Sequence, residues 1–559
     1  MSGSKKRRRR HAFALPQMEN TAIANFCVVL AVLFTVLTRC VVVRRTGVRG
    51  GGYYFAAYEL MVFLLLFFPA GVSATIREQF GQRLETGLFR NAKRIFNAAV
   101  VSLFFYILIV AILWWRFSEG ISEIVLLGKT NTLPLLLLLP VFVLDALTLL
   151  LRGFLDGESD AADGQIIADT HVGSVAFLVR QAATFFFVLI FAGTFQVNGI
   201  NVAKLFRNEE VQYVYGAAGV AIGFLLGAIV GLITYALFYF NHLNNLQRSV
   251  DRDQNRRREN SNGILVTYAA NAAAAYVGMF GMSFVAQILS MHHFRAEAQL
   301  VRSYQWGMLE GLCKTSWCFP LLLIFLMYLG DAKLITRAIR RGDSHEVRIK
   351  CQSLMEFSML VTFFLAGFYF GAARLITKGM FGIESVMAVR MLRFGSITMV
   401  FMAYAFITSL QLLFMQQKTR VALHTFAALL AGGLLLWILL PSNRLGIYAV
   451  FVANIVFSAV LIFWNLLILN RKIRLRPDIR RHVIWPLAFA LISGAFALLL
   501  CLLFGLFMPS LLAVVIIFPL SLLVYFITGC KMGVISEYTF YGIPLGEQME
   551  RFGHRLRIL

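Results

Sequence analysis

Apolar residues gather into fourteen stretches, each near the ~20 residues that a helix needs to cross a bilayer. They fall at about 19–43, 52–75, 95–115, 133–153, 172–194, 211–241 and 263–290, then 305–330, 351–373, 391–415, 420–440, 446–469, 483–507 and 510–529. The pattern predicts an all-α polytopic membrane protein with about 14 transmembrane helices. An even number of crossings places both ends of the chain on one side.

The polar segments carry a second pattern. The longest strongly polar internal stretch, Asn241 to Asn262, follows the sixth run and reads as a linker between two halves. The halves resemble each other. After the second run come Arg77-Glu78 and, further on, Asn91-Ala92-Lys93-Arg94; after the eighth come Arg337-Ala338-Ile339-Arg340-Arg341-Gly342-Asp343 and Val347-Arg348-Ile349-Lys350. Each is a basic amphipathic elbow leading into a long apolar helix. This predicts two six-helix lobes related by an internal repeat, plus two C-terminal helices, as in alternating-access transporters. The expected division is a basic N-terminus (1–18), an N-lobe (19–241), a linker (242–262) and a C-lobe (263–470). The last two helices (471–530) and a tail (531–559) complete it.

Composition narrows the class. Of 559 residues 59% are hydrophobic and 14% charged, against a usual charged share of roughly 25%. A soluble enzyme of this composition could not cover its own surface. The net charge is +24, but the cations lie between apolar runs and not on a soluble face, which excludes a nucleic-acid partner. With the N-terminus inside, 35 Lys and Arg fall in inner segments and 15 in outer ones. That asymmetry predicts cytoplasmic termini, a cytoplasmic linker and contact with anionic inner-leaflet lipids. The basic residues Lys5 to Arg10 precede a run long enough to span, with no small-residue cleavage site, and so read as flanking a retained anchor. Seven cysteines form neither a disulfide framework nor a metal spacing.

At the elbows the chain resembles the MOP superfamily of flippases. The likeness is to its polysaccharide-biosynthesis and stage V sporulation protein B-like branch, which neighbours the MurJ lipid II flippases. It rests on Gly51-Gly52-Tyr53-Tyr54, Ala70-Gly71-Val72-Ser73-Ala74, Ala92-Lys93-Arg94-Ile95-Phe96 and Leu150-Leu151-Arg152-Gly153-Phe154. Arg340-Arg341-Gly342-Asp343 and Asn443-Arg444-Leu445-Gly446-Ile447 extend it, so that it spans roughly residues 20 to 530. The proline usual at the end of the family's eighth helix is absent from Tyr328-Leu329-Gly330-Asp331.

Charges at membrane depth cost a few kcal/mol on insertion scales and usually face a cavity or one another. Here they are Arg39, Glu59, Asp145, Arg180, Glu310, Lys314 and Glu356. Glu310 and Lys314 stand four apart in the favourable order. They form either a tolerated ion pair or a cavity-lining pair whose lysine can be released to an anionic headgroup. Arg39, with Arg44, Arg45 and Arg49 beyond it, gives the first helix a basic outer end. Arg180 is expected to pair with Asp145. The resemblance implies that Arg39 and Lys314 take the places of cavity arginines on helices one and eight of MurJ-type proteins, which are held to meet a pyrophosphate. The substrate-binding candidates are therefore Arg39, Glu59, Arg180, Glu310 and Lys314, with Arg44, Arg45 and Asp145 secondary. Adjacent His292 and His293 point apart on a helix, His424 reads as a packing residue, and Tyr53-Tyr54 and Trp114-Trp115 read as interfacial belts. No catalytic motif, metal site or cofactor site is present in the sequence.

The expectation is a flippase in a bacterial-type cytoplasmic membrane. It would carry a lipid-linked, pyrophosphate-bearing saccharide outward, driven by membrane potential or a coupled ion. The alternatives are a MATE-type drug or cation exporter and, from another class, a polytopic glycosyltransferase or ligase.

Overall fold

The computed structural model describes residues 14–125, 128, 131–161, 172–253, 259–441 and 445–535. The basic segment Lys5–Arg10, Arg256–Arg258 of the linker, Asn443-Arg444 and residues 536–559 of the tail lie outside the described residues.

The described elements are all helical. The first, α1 (Ala14–Phe67), is 54 residues long, about 80 Å at 1.5 Å per residue, whereas a hydrocarbon core is about 30 Å thick. It makes two crossings, and the break is Gly47 (φ 72, ψ 169), a backbone geometry essentially confined to glycine. Arg44, Arg45 and Arg49, which interrupt the apolar pattern, do not interrupt the helix, because a charged side chain leaves the backbone hydrogen bonds intact. α2 (Pro69–Thr75), a π-helical turn (Ile76–Phe80) and α3 (Gly81–Glu85) carry the second crossing into its elbow.

Next come α4 (Phe89–Arg116), the short α5 (Ser118–Val125), α6 (Thr132–Ala161), α7 (Val172–Phe206), α8 (Glu210–Arg252) and α9 (Ser261–His293). α10 (Gln299–Trp306) runs through a π-helical stretch, Gly307–Lys314, into α11 (Thr315–Arg340). α12 (Ser344–Gly371), the short α13 (Ala373–Gly379), α14 (Val386–Phe414), α15 (Lys418–Leu439) and α16 (Ala449–Ile473) follow, and α17 (Trp485–Phe507) and α18 (Ser510–Lys531) close the chain. Among the described residues twelve helices are long and apolar enough to cross a membrane. One of these, Phe26–Glu85, is the double crossing, and the continuous α10–α11 column is a further helix of membrane length. Counted in this way, the described residues hold fourteen helical segments of membrane length.

Small residues let these helices approach closely, the usual basis of helix association in lipid. On α8, Gly219, Gly223 and Gly227 recur every fourth residue and face Phe191, Val188 and Thr184 of α7; a Cβ on Gly227 would lie 2.0 Å from the Thr184 hydroxyl. Gly71 of α2 meets the Ala269 carbonyl of α9 in the same way. Gly367 and Gly371 of α12 abut Ala490 and Gly494 of α17, which fixes the first of the two extra helices against the bundle. Lipid-facing bulk sits elsewhere, as on α17, where Leu491, Leu499 and Leu506 are exposed.

One expectation is corrected. Tyr53 and Tyr54 are fully buried and do not form an interfacial belt. They follow the Gly47 break and Gly50–Gly52, where α10 packs against α1, so their rings turn inward; Tyr54 stacks on Tyr58 at 5.5 Å. Of the tryptophan pair, Trp115 is exposed and Trp114 is buried against Phe142.

Candidate functional site

The break in α1 brings its two crossings to one side of the π-helical stretch Gly307–Lys314. Contact is at the backbone. A Cβ on Gly52 would lie 2.0 Å from the Ser303 carbonyl, and one on Gly307 would lie 2.0 Å from the Val48 carbonyl. Glycine at both positions is what lets the elements close on each other. π-helical turns are rare and recur at functional sites.

Below this contact four charges form a chain. Arg39, on the first crossing, donates from Nη2 to the backbone carbonyl of Glu310 at 2.7 Å and from Nε to the Thr315 hydroxyl at 3.0 Å. Its guanidinium lies 4.3 Å over the Phe55 ring and 4.0 Å from the Glu310 carboxylate. The Lys314 ammonium sits between two carboxylates, 2.5 Å from Glu59 on the second crossing and 3.0 Å from Glu310. Arg39, Glu59 and Glu310 are all buried.

Two cations balance two anions, so the cluster is electrically closed. Each cation has a different hold. Arg39 is bonded to a carbonyl and a hydroxyl, lies over a ring and stands 4.0 Å from one carboxylate, while Lys314 contacts both carboxylates.

The other sequence candidates lie apart from this cluster. Arg180 of α7 donates from Nη2 to both carboxylate oxygens of Asp145 on α6, each at 2.7 Å, as the pairing expectation had it. Arg44 donates to the Gly379 carbonyl at the end of α13, and Arg45 is exposed. Glu356 faces His482 at 3.8 Å. His424 of α15 bonds Asn465 of α16 at 2.9 Å, and Asn465 donates to Thr408 and Ser409 of α14, a polar packing network. No group of three or more metal-ligating side chains occurs among the described residues.

Sequence reasoning missed Thr315 and Phe55 as partners of Arg39, and it did not pair Glu59 with Lys314. It also missed the ion pair of Lys418 at the start of α15 with Glu78 beyond α2.

Fourteen crossings with a broken first helix and a closely apposed eighth define an architecture with known counterparts. A multidrug-resistance MATE family transporter of the MOP superfamily, in an inward-facing conformation, superposes with a TM-score of 0.56 at 13% identity, covering 81% of this chain and 99% of its own. The lipid II flippase MurJ, in an inward closed conformation, superposes with a TM-score of 0.56 at 14% identity, covering 92% of this chain and 98% of its own. The chain has the MOP-superfamily fold. A MOP-superfamily transporter from Pyrococcus furiosus, described as having a binding pocket of reversed polarity, superposes at 0.56 and 12% identity over 81% of this chain and 96% of its own. No protein-family model and no curated protein matches the sequence.

Proposed function

We infer that this membrane protein is an alternating-access flippase for a lipid-linked saccharide whose headgroup carries a pyrophosphate. The observation that carries the reading is the buried Arg39–Glu310–Lys314–Glu59 chain, which ties the first two crossings to the eighth. In this reading residues 19–241 and 263–470 are two lobes, 242–262 tethers them, and the charge chain crosses between them. A diphosphate offers several anionic oxygens in a low-dielectric setting where their attraction to a cation is strong. It would compete with Glu59 and Glu310 for Lys314, and Arg39 would follow as the lobes part.

Coverage also favours the flippase branch. The MurJ structure matches 92% of this chain and the MATE structure 81%, a difference of roughly 60 residues, enough for two spanning helices. Membrane potential or a coupled ion would drive the cycle, in a cytoplasmic membrane with both termini inside. The rival reading, export of an organic cation, draws on the two buried carboxylates Glu59 and Glu310.

Reconstitution decides between them. Purified protein in vesicles with undecaprenyl-pyrophosphate-linked saccharides should expose headgroups to an external enzyme or lectin, and Lys314→Ala should stop it. Accumulation of an organic cation, with no headgroup exposure by a well-folded protein, would overturn the flippase reading.

A further inference from the structure

Between the end of α9 and α10, a small cavity of about 10 Å³ is lined by Ser290, Met291 and Phe294 at the α9 end, the half-buried Arg302 and Gln305 with Trp306 of α10, and Ile447 ahead of α16. Four of these residues bring a buried polar atom with no hydrogen-bond partner: Ser290 Oγ, Arg302 Nε, Gln305 Oε1 and Trp306 Nε1. Ser290 is 0% exposed and Trp306 1%. Here four converge on one space.

The chemistry of the four atoms selects an occupant. The indole N–H and the guanidinium Nε–H can only donate, the amide oxygen can only accept, and the serine hydroxyl can do either. The orientation of Gln305 is set by its other end, since Nε2 donates to the Glu297 carboxylate at 3.3 Å; turning the amide over would set oxygen against carboxylate. A halide would satisfy the two N–H groups but repel the Gln305 oxygen. A metal cation or ammonium would meet the Arg302 guanidinium. One water accepts from Arg302 and Trp306 and donates to Gln305 and Ser290. A water needs about one probe sphere of volume, ~10–15 Å³, and two to four polar partners; this cavity supplies that volume and four partners.

We propose that a single ordered water bridges Ser290, Arg302, Gln305 and Trp306 and pins the end of α9 to the C-terminal half of α10. Its place gives it a consequence. Trp306 is followed directly by Gly307, whose backbone touches Val48, and by the π-helical stretch that carries Glu310 and Lys314. Ser290 and Trp306 are thus positioning residues for the charge cluster, whatever the transported substrate is.

The full-length protein, solved to a resolution at which waters are seen, should show one peak within hydrogen-bonding distance of the four atoms. An empty cavity there overturns the proposal, and so does a peak that scales with bromide when bromide replaces chloride. Fluorine NMR of protein labelled with 5-fluorotryptophan gives an independent reading, with the Trp306 signal assigned by its loss in Trp306→Phe. A bridging water predicts a solvent-isotope shift of that signal between H2O and D2O despite full burial of the ring, and this shift should shrink in Ser290→Ala. A Trp306 signal insensitive to D2O would mean a dry cavity and would sink the proposal without bearing on flippase activity.

Discussion

Lys314 and Arg180 are both half-buried cations bonded to carboxylates, but only Lys314 is shared between two of them, and this separates their expected behaviour. In the flippase reading Lys314 changes partner during the cycle, so Lys314→Ala and Arg39→Ala should each abolish headgroup exposure while membrane abundance stays near normal. Loss of one charge-assisted contact to a buried phosphate costs about 1.5–3 kcal/mol, or ~10- to 150-fold in affinity. Lys314→Arg should retain part of the activity, since it keeps the charge and changes the reach. Glu310→Gln should do less harm than Lys314→Ala, because Glu59 remains to hold the ammonium at 2.5 Å. Transport and abundance measured together test the set: a working, well-expressed Glu310→Gln/Lys314→Met double variant would remove Lys314 from the site. Arg180 and Asp145 should show the reverse pattern. Either single change leaves a buried unpaired charge, a loss of about 3–5 kcal/mol, whereas Arg180→Met/Asp145→Leu should recover most of the thermal stability. Much of this was legible in the sequence. The rarity of charge at membrane depth picked out every member of the cluster. The Glu310–Lys314 pair was legible from its spacing, but the Glu59–Lys314 pair was not, because those residues are 255 apart and the rule that marks a costly residue does not name what relieves the cost.

Helix boundaries followed the hydropathy pattern closely, and the exceptions have local causes. Residues 44–51 read as a gap, yet α1 passes through all of them except at Gly47, where the backbone and not the arginines makes the turn. Three glycines at 50–52 are visible in the sequence, but the task of Gly52 depends on Ser303, brought there by the eighth crossing, whose Gly307 in turn meets Val48 of α1. Gly307 tests that task. Gly307→Val would press a branched side chain into the Val48 carbonyl, so the contact between α1 and α10 should open at an overpacking cost of about 1–3 kcal/mol. In a background lacking the native cysteines, a cysteine at buried Ser303, which lies against Gly52, should then become reactive to thiol reagents where it was silent before. Gly47→Ala is the control, because nothing lies within 4 Å of a Cβ there and only the backbone is strained. It should cost stability, and Gly47→Asn should give no relief over Gly47→Ala, since asparagine tolerates the left-handed α region and not a ψ of 169. Equal reactivity of the Ser303 cysteine in Gly307→Val and in its Gly307 parent would mean that this close approach does not seal the contact.

Across the whole molecule, contacts between distant parts of the chain occur at both ends of the bundle. At one end are the α1–α10 backbone contact and the bond from Arg44 to Gly379. At the other, Arg83 bonds Glu259 at 2.7 Å, and Lys418 pairs with Glu78 while lying over the Tyr268 ring. The internal repeat read from the basic elbows foreshadows the second group, since Glu78 belongs to the first elbow. The repeat could not show that this elbow would meet the start of α15, because an elbow's sequence records its own helix and not the surface it docks on. If the two halves rock as lobes, the Glu78–Lys418 pair must break whenever this end opens. Both side chains are partly solvated, so the pair contributes on the order of 1 kcal/mol, about a fivefold bias toward closure. Lys418→Glu sets two carboxylates together and Glu78→Lys two ammoniums; each should favour the open end. A cysteine at buried Thr75, one turn above the elbow, should then label faster in either single variant. The exchange Glu78→Lys/Lys418→Glu restores opposite charges in the same place and should return labelling to the starting rate. Labelling that stays fast in the exchanged protein would show that the closure depends on the identity of these residues and not on their attraction, and the electrostatic latch would have to be abandoned.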